Sequence, residues 1–524
     1  MKIQITTPPE TAYQQNLLKT AIAKQLNISE SEINSFQIEN KSIDARSRQI
    51  KVNLTVNVFC ADETRSLSEA ETRSLSEVET HYQNVAGKPE ILIVGAGPAG
   101  LFAALRLIEL GYKPVVLERG KNVSERKRDI AELSRNNGLN ADSNYCFGEG
   151  GAGTFSDGKL YTRSRKRGDF QRIFRIFHQH GAQDEILYEA HPHIGSDRLP
   201  EVIKNIRQTI LDCGGEIHFN SRVSEFIIND NRIRGVKTAN GDTFSANAVI
   251  LASGHSARDI YETLHASGVL LEAKGFAMGI RVEHPQALID SIQYKCAERG
   301  EYLPPAAYSL VEQVGGRGVY SFCMCPGGII VPAATGEREI VVNGMSNAKR
   351  QSPFANSGIV VEIRPEDLAD FQQYGALAGL KYQQFVENLA FVNGAGGVQA
   401  PAQRLADFVG GRLVPGLPDC SYLPGTLASP VHFWLPEFIS ERLRQGFKLF
   451  DKKMHGFLTN EAVVVGVESR SSSPVRIPRN KETLEHPQIR GLFPCGEGAG
   501  YAGGITSSAI DGENCAEMAG KINN

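Results

Sequence analysis

Ile91-Leu92-Ile93-Val94 runs directly into Gly95-Ala96-Gly97-Pro98-Ala99-Gly100, and an apolar helical pattern follows to Leu110, where Gly111 stops it. A short apolar run of this kind reads as a buried parallel strand, and the six residues after it spell GxGxxG. A second strand, Lys113 to Leu117, ends at Glu118, 18 positions beyond the last glycine. This order of strand, glycine turn, helix, strand and acid is the opening βαβ unit of a dinucleotide-binding parallel sheet. Gly95 permits the tight turn, Gly97 lets the backbone approach a pyrophosphate, and Gly100 lets helix and strand pack closely. Pro98 and Ala99 open a helix whose free N–H groups and dipole favour phosphate. Glu118 is placed to accept hydrogen bonds from an adenosine ribose, and Arg119 is counted with it. An incidental turn in an α/β core is the plain alternative; the motif's context weighs against it.

The rest of the chain divides around this unit. Residues 1–85 read as a small α+β module of βαββ type followed by a linker. Its helix spans Tyr13 to Leu26, and its last strand alternates at Ile50, Val52, Leu54, Val56 and Val58. The linker carries a duplicated octapeptide, Glu63–Ala70 and Glu71–Val78, too few copies for a solenoid. Residues 86–264 make the first part of the nucleotide-binding domain. They include hairpin strands from Val223 to Thr238 and the buried strand Ala248–Ala252, which ends in Ser253-Gly254. Residues 265–485 form an inserted α+β cap. Its clearest helix, Phe438–Phe457, carries an apolar stripe that belongs in a core. Residues 486–524 return to the nucleotide-binding domain.

Composition supplies exclusions. The net charge of −3 lacks the basic footprint of a general nucleic-acid binder, though Arg163–Arg167 is locally basic. No apolar run approaches a membrane span. Nine cysteines are too sparse for a disulfide scaffold, so a reduced, cytoplasmic protein is expected. Glycine is abundant, 52 of 524 residues, and clusters at 148–153, 394–397 and 496–504.

The most distinctive segment is Phe147 to Leu160, with five glycines between 148 and 158. Gly150, Gly151, Ala152, Gly153 and Thr154 leave backbone bare enough to run beside a pyrophosphate or a flavin ring. Lys159 is placed to meet phosphate or the charge of a reduced flavin. Cys323-x-Cys325 would face one way on an extended strand, but a disulfide across one residue is strained. Structural or pocket-lining thiols are therefore favoured there over a redox pair. No metal site is expected, since neither these cysteines nor His191-Pro192-His193 has the companions a ligand set requires. In Glu468–Arg476, Arg470 is set to bind a carboxylate or phosphate, with solvated turn chemistry equally open.

Together these motifs resemble a family of bacterial FAD-dependent dehydrogenase-like proteins of unassigned substrate, within the two-dinucleotide-binding flavoprotein group. The resemblance rests on 147–160, Leu251–Asp259, Ala277–Pro285, Ser321–Gly328, Val467–Arg476 and Pro494–Gly512. It implies a Rossmann-type FAD-binding domain, an inserted cap and a C-terminal segment that returns to the flavin. Val223, Ala252 and Gly254 then belong to a second FAD-contacting segment, and Gly496, Glu497, Gly503, Gly504 and Ile505 to a third. Many relatives have Asp where this chain has Glu497, so a carboxylate aimed at substrate stays open beside ribityl contact. The helix beginning near Thr506 would turn its positive end toward the flavin.

The function expected is an FAD-dependent oxidoreductase acting on a small molecule, with NAD(P)H as candidate transient reductant. An FAD-dependent monooxygenase is the alternative, and a flavin-binding redox sensor or scaffold is the alternative of another class. Lys159, Glu497 and Arg470 are the candidate catalytic residues.

Overall fold

The computed structural model describes residues 1–47, 49–60, 79–136, 138–161 and 168–522. The duplicated octapeptide and the basic run Arg163–Arg167 lie outside the described residues.

The first module is an antiparallel sheet in the order Lys2–Thr7, Lys51–Cys60, Ile33–Asp44. Val52, Leu54, Val56 and Val58 alternate inward, each at most 2% exposed, against Leu18 and Ile22 of the helix Gln15–Leu26. The single helix expected from Tyr13 is two: Pro9–Tyr13 ends at Gln14, whose extended backbone breaks the register. The module is docked rather than tethered. The Ala190 N–H donates to the Lys41 carbonyl at 2.9 Å, and Lys41 Nζ lies 2.9 Å from Glu189 and 4.1 Å above the Tyr13 ring.

The parallel sheet runs Leu492–Pro494, Val249–Leu251, Glu90–Val94, Lys113–Leu117, Glu216–His218. Its strands are apolar without alternation because both faces are covered. Ile91, Ile93 and Val116 pack under the helices Pro98–Glu109 and Ile505–Ile522. Leu92, Val94, Val115 and Leu117 pack toward Val223, Phe226 and Val236 of the three-stranded meander. The two helices cross so closely that a Cβ on Gly512 would come within 2.0 Å of the Ala99 carbonyl oxygen.

The inserted segment leaves and re-enters through a narrow neck, where Glu272–Ala273 pairs antiparallel with Val475–Arg476. Between them lies a seven-stranded sheet, ordered Val311–Val314, Arg317–Cys325, Phe354–Ile363, Phe276–Pro285, Val463–Glu468, Ala400–Arg404, Thr426–Ala428. The expected helix is Glu437–Lys453, and its Leu443, Phe447 and Phe450 are fully buried with Phe457 beyond its end. The glycines at 394–397 close the helix Ala378–Asn393 and turn the chain into Ala400–Arg404. They serve a turn.

Replacing Lys41 with Met should leave Glu189 without its cation and loosen the module's docking. Amide exchange should accelerate across 33–44 and 185–190 while protection in the parallel sheet stays unchanged; acceleration throughout the chain would contradict a local docking role.

Candidate functional site

A cavity of about 980 Å³ opens where the parallel strands end, the usual ligand position in such sheets. Gly95, Gly97, Pro98 and Ala99 form one wall, with Glu118 and Arg119 beside them. Gly151, Ala152, Gly153 and Lys159 stand opposite. Val223, Ala252 and Gly254 line it from the meander side. Gly496, Glu497, Gly503, Gly504 and Ile505 come from the C-terminal return.

Three expected residues lie off the cavity. A Cβ on Gly100 would come within 1.9 Å of the Gly95 carbonyl oxygen, so this glycine serves helix–strand packing beneath the turn. The Gly150 N–H donates to the Ala96 carbonyl at 2.8 Å, and fully buried Thr154 donates its hydroxyl to the Glu149 carbonyl at 2.8 Å. Both brace the wall from behind, where backbone hydrogen bonds hold them away from any ligand.

Glu118 ties the glycine segments together. Its carboxylate accepts the N–H groups of Ala96 at 2.8 Å and of Gly120 and Gly148, each at 2.9 Å. Arg119 is ion-paired with Asp259 and stacked 4.3 Å above the Phe147 ring. Glu497 lies 3.9 Å from His255 Nε2. Burial holds His255 below its ordinary pKa, against the pull of Glu497.

At the cap end, Lys159 Nζ donates to the Met324 carbonyl and lies 3.5 Å from Asp157. Arg350 holds the other side of Asp157 at 2.9 Å. Burial alone would raise the Asp157 pKa, but Lys159 and Arg350 outweigh it and keep the carboxylate below its usual range. Burial likewise opposes charge on Lys159, while Cys325 and Asp157 raise its pKa, so the ammonium keeps its proton. Beneath this wall Arg281 is fully buried, ion-paired with Glu468 and donating to Asn356 at 2.8 Å and to the Cys323 carbonyl at 2.7 Å.

Arg470 lines the cavity, but its donors are already engaged. It reaches Glu387 at 3.1 Å, Glu339 at 2.7 Å and Thr335 at 2.8 Å. Arg258 meets the same Glu387 and Glu339 at 2.7 and 3.0 Å. Arg470 thus clamps elements together rather than presenting a free guanidinium to substrate. Arg258, Glu339, Glu387 and Arg350 escaped sequence reasoning because their partners lie 81 to 193 residues away. No local spacing encodes such pairs.

The histidine pair is separated: the His191 ring lies 4.9 Å from that of Tyr161, tilted by 59°, at the cavity, while His193 Nε2 meets the Ala348 carbonyl. Among the described residues, Cys495, Asp511 and Cys515 form a buried group with ligating atoms within 4.8 Å. Arg479 donates to Asp511 at 2.6 Å and to Cys515 at 3.4 Å, supplying the positive charge a cation would otherwise bring. Among the described residues no helix is long and apolar enough to cross a membrane.

Residues 90–275 match the model of glucose inhibited division protein A, and 275–471 match the C-terminal domain of FAD-dependent proteins. Residues 1–59 match a domain of unknown function. An uncharacterized protein of Clostridium beijerinckii is 42% identical over 515 residues, 96% of this chain and 95% of its own. A flavoprotein/dehydrogenase from Cytophaga hutchinsonii is 11% identical, covering 83% of this chain and 78% of that one, with a TM-score of 0.33. A geranylgeranyl bacteriochlorophyll reductase-like protein from Thermoplasma acidophilum is 13% identical, covering 83% and 79%, with a TM-score of 0.34.

The clamp makes a pH-dependent prediction. Burial would raise the Glu387 pKa, but Arg258 and Arg470 outweigh it and hold the group down at about 2. Its stabilisation is therefore present above the ordinary carboxylate pKa and lost as pH falls from about 4.3 toward the folded value. Replacing Glu387 with Gln should lower the unfolding free energy at neutral pH by about 3–5 kcal/mol. Denaturant melts should show this gap between variant and native chain closing in acid; a gap independent of pH would refute the clamp.

Proposed function

We propose, for a chain that belongs to an FAD-dependent oxidoreductase-like family of unassigned substrate, an oxidoreductase that binds FAD along the glycine walls and admits a small molecule at the cap end. The observation that carries this reading is the convergence of three sequence-distant segments, 95–99, 151–153 and 496–504, on one cavity at the ends of parallel strands.

The residues fit the cofactor. Gly95 has φ +105°, and a Cβ there would lie 2.4 Å from the Ala252 carbonyl oxygen, so the turn itself requires glycine. Gly97 is different: a Cβ there would meet nothing nearer than 3.8 Å, leaving room on the cavity side for a ligand to approach. Two helices, Pro98–Glu109 and Ile505–Ile522, begin at the cavity, and their first N–H groups favour the negative charge of a pyrophosphate and of a reduced ring.

Bound there, FAD supplies two-electron redox chemistry. The chain's own groups set its surroundings. Thr506 donates its hydroxyl to the Leu160 carbonyl at 2.7 Å, fixing the start of the C-terminal helix against the Lys159 segment. Phe322, Met324, Val331 and Ala333 give the cap end an apolar lining that excludes water. Lys159, protonated and anchored, holds positive charge and a proton at Nζ facing that end. Glu497 and His255 pair on the cavity surface, a carboxylate against a ring that burial keeps neutral.

The gently purified protein should be yellow and should release FAD, identified by chromatography, on denaturation; release of FMN, or no flavin, would refute the proposal. Replacing Gly97 with Val should abolish flavin retention while the circular dichroism spectrum is kept. The same replacement at Gly95 should unfold the chain, because the clash there is with its own backbone.

A further inference from the structure

Cys323 and Cys325 both line the cavity, and neither has a part in the proposed flavin cradle. The objection to a redox pair was that a disulfide across one intervening residue is strained. The strand is not extended there: its register against Phe354–Ile363 breaks between Phe322 and Cys325, and Cys323 has φ +45°. That left-handed backbone is strained for a non-glycine residue, and strain of this kind gathers at functional sites.

The bulge has chemical consequences. Both residues line the cavity, Cys323 exposed and Cys325 buried. Cys325 Sγ folds back to 3.3 Å from the Cys323 carbonyl oxygen, so the second sulfur already curls over the first residue. Two cationic groups reach that sulfur, Lys159 Nζ at 3.8 Å and Arg281 Nη2 at 3.8 Å. A sulfur released with negative charge there meets two positive partners. The Cys323 thiol differs, for the cavity walls shield it and push it up to about 11, against the pull of Lys159. At neutral pH the resting proton therefore stays on Cys323.

We propose that Cys323 and Cys325 form a redox-active dithiol that exchanges two electrons with the bound flavin and delivers them to a disulfide substrate in the cavity. This rests on the flavin reading above. In the first half, the Cys323–Cys325 disulfide takes two electrons and two protons from FADH2. Its S–S bond breaks, two thiols form and the flavin is left oxidised. In the second half, Cys323 attacks the substrate disulfide while its thiol proton passes to the departing substrate sulfur; the substrate S–S bond breaks, a mixed disulfide forms and one substrate thiol is released. Cys325 then attacks the Cys323 sulfur, re-forming the internal disulfide and releasing the second thiol.

The test uses the full-length protein with its flavin. After diamide oxidation, thiols are blocked in denaturant with one alkylating reagent, disulfides are reduced, and the newly freed thiols take a second. Peptide mass mapping should find the second label on both Cys323 and Cys325; the first label on both would overturn the pair. This measurement needs no flavin, so it is decided separately from FAD binding. Anaerobic dithionite titration of the oxidised holoprotein should then consume four electrons per flavin, against two in Cys323→Ser and Cys325→Ser variants of equal flavin content. Two electrons per flavin in the native protein would overturn exchange with the flavin even if the disulfide is mapped.

Discussion

Glu387 is a carboxylate with no exposure to water, held between the guanidinium groups of Arg258 and Arg470. Buried charge is tolerable only when compensated, and here the compensation comes from two different parts of the architecture. Arg258 begins a helix after the Val249–Leu251 strand of the parallel sheet, whereas Glu387 and Arg470 belong to the inserted segment. The cavity lies between these parts, and its volume is defined only while they stay in register. Ser469 and Gln383 reinforce the point, one hydroxyl on Glu387 and one amide on the Ser469 carbonyl, so the clamp is a network rather than a pair.

A second network fixes the cavity floor. Glu118, expected to meet a ribose, also gathers three backbone N–H groups, from the first turn, its own turn and the 147–160 segment. The carboxylate thereby shapes the glycine walls before any ligand arrives. Preorganisation of this sort lowers the ordering cost of binding, because the loops need not be frozen at the moment of contact.

Much of this was legible in the sequence wherever a local pattern carried it. Ile91–Val94, the GxGxxG turn and the stripe on Glu437–Lys453 declare themselves through periodicity and punctuation. The glycine-rich lining was readable too, because bare backbone has few other uses. The illegible part consists of long-range choices. Gly100, Gly150 and Thr154 sit within the right motifs but turn away from the cavity, and only the packed fold distinguishes a wall's face from its back. Arg470 looked available because its partners, Glu339 and Glu387, lie more than 80 residues upstream. The bulge between Phe322 and Cys325 holds no glycine or proline of its own, and Pro326-Gly327-Gly328 beyond it reads only as the strand's end.

The edge strand Leu492–Pro494 and the helix Ile505–Ile522 come from the last stretch of the chain, yet they cover strands laid down some hundreds of residues earlier. During synthesis the inserted segment can bury its own apolar centre while Val249–Leu251 still waits as an unpaired edge. A ribosome that stalls late therefore releases a product with a finished cap beside an open sheet. An open edge of this kind invites pairing with other chains, and it is the strand Leu492–Pro494 that covers it.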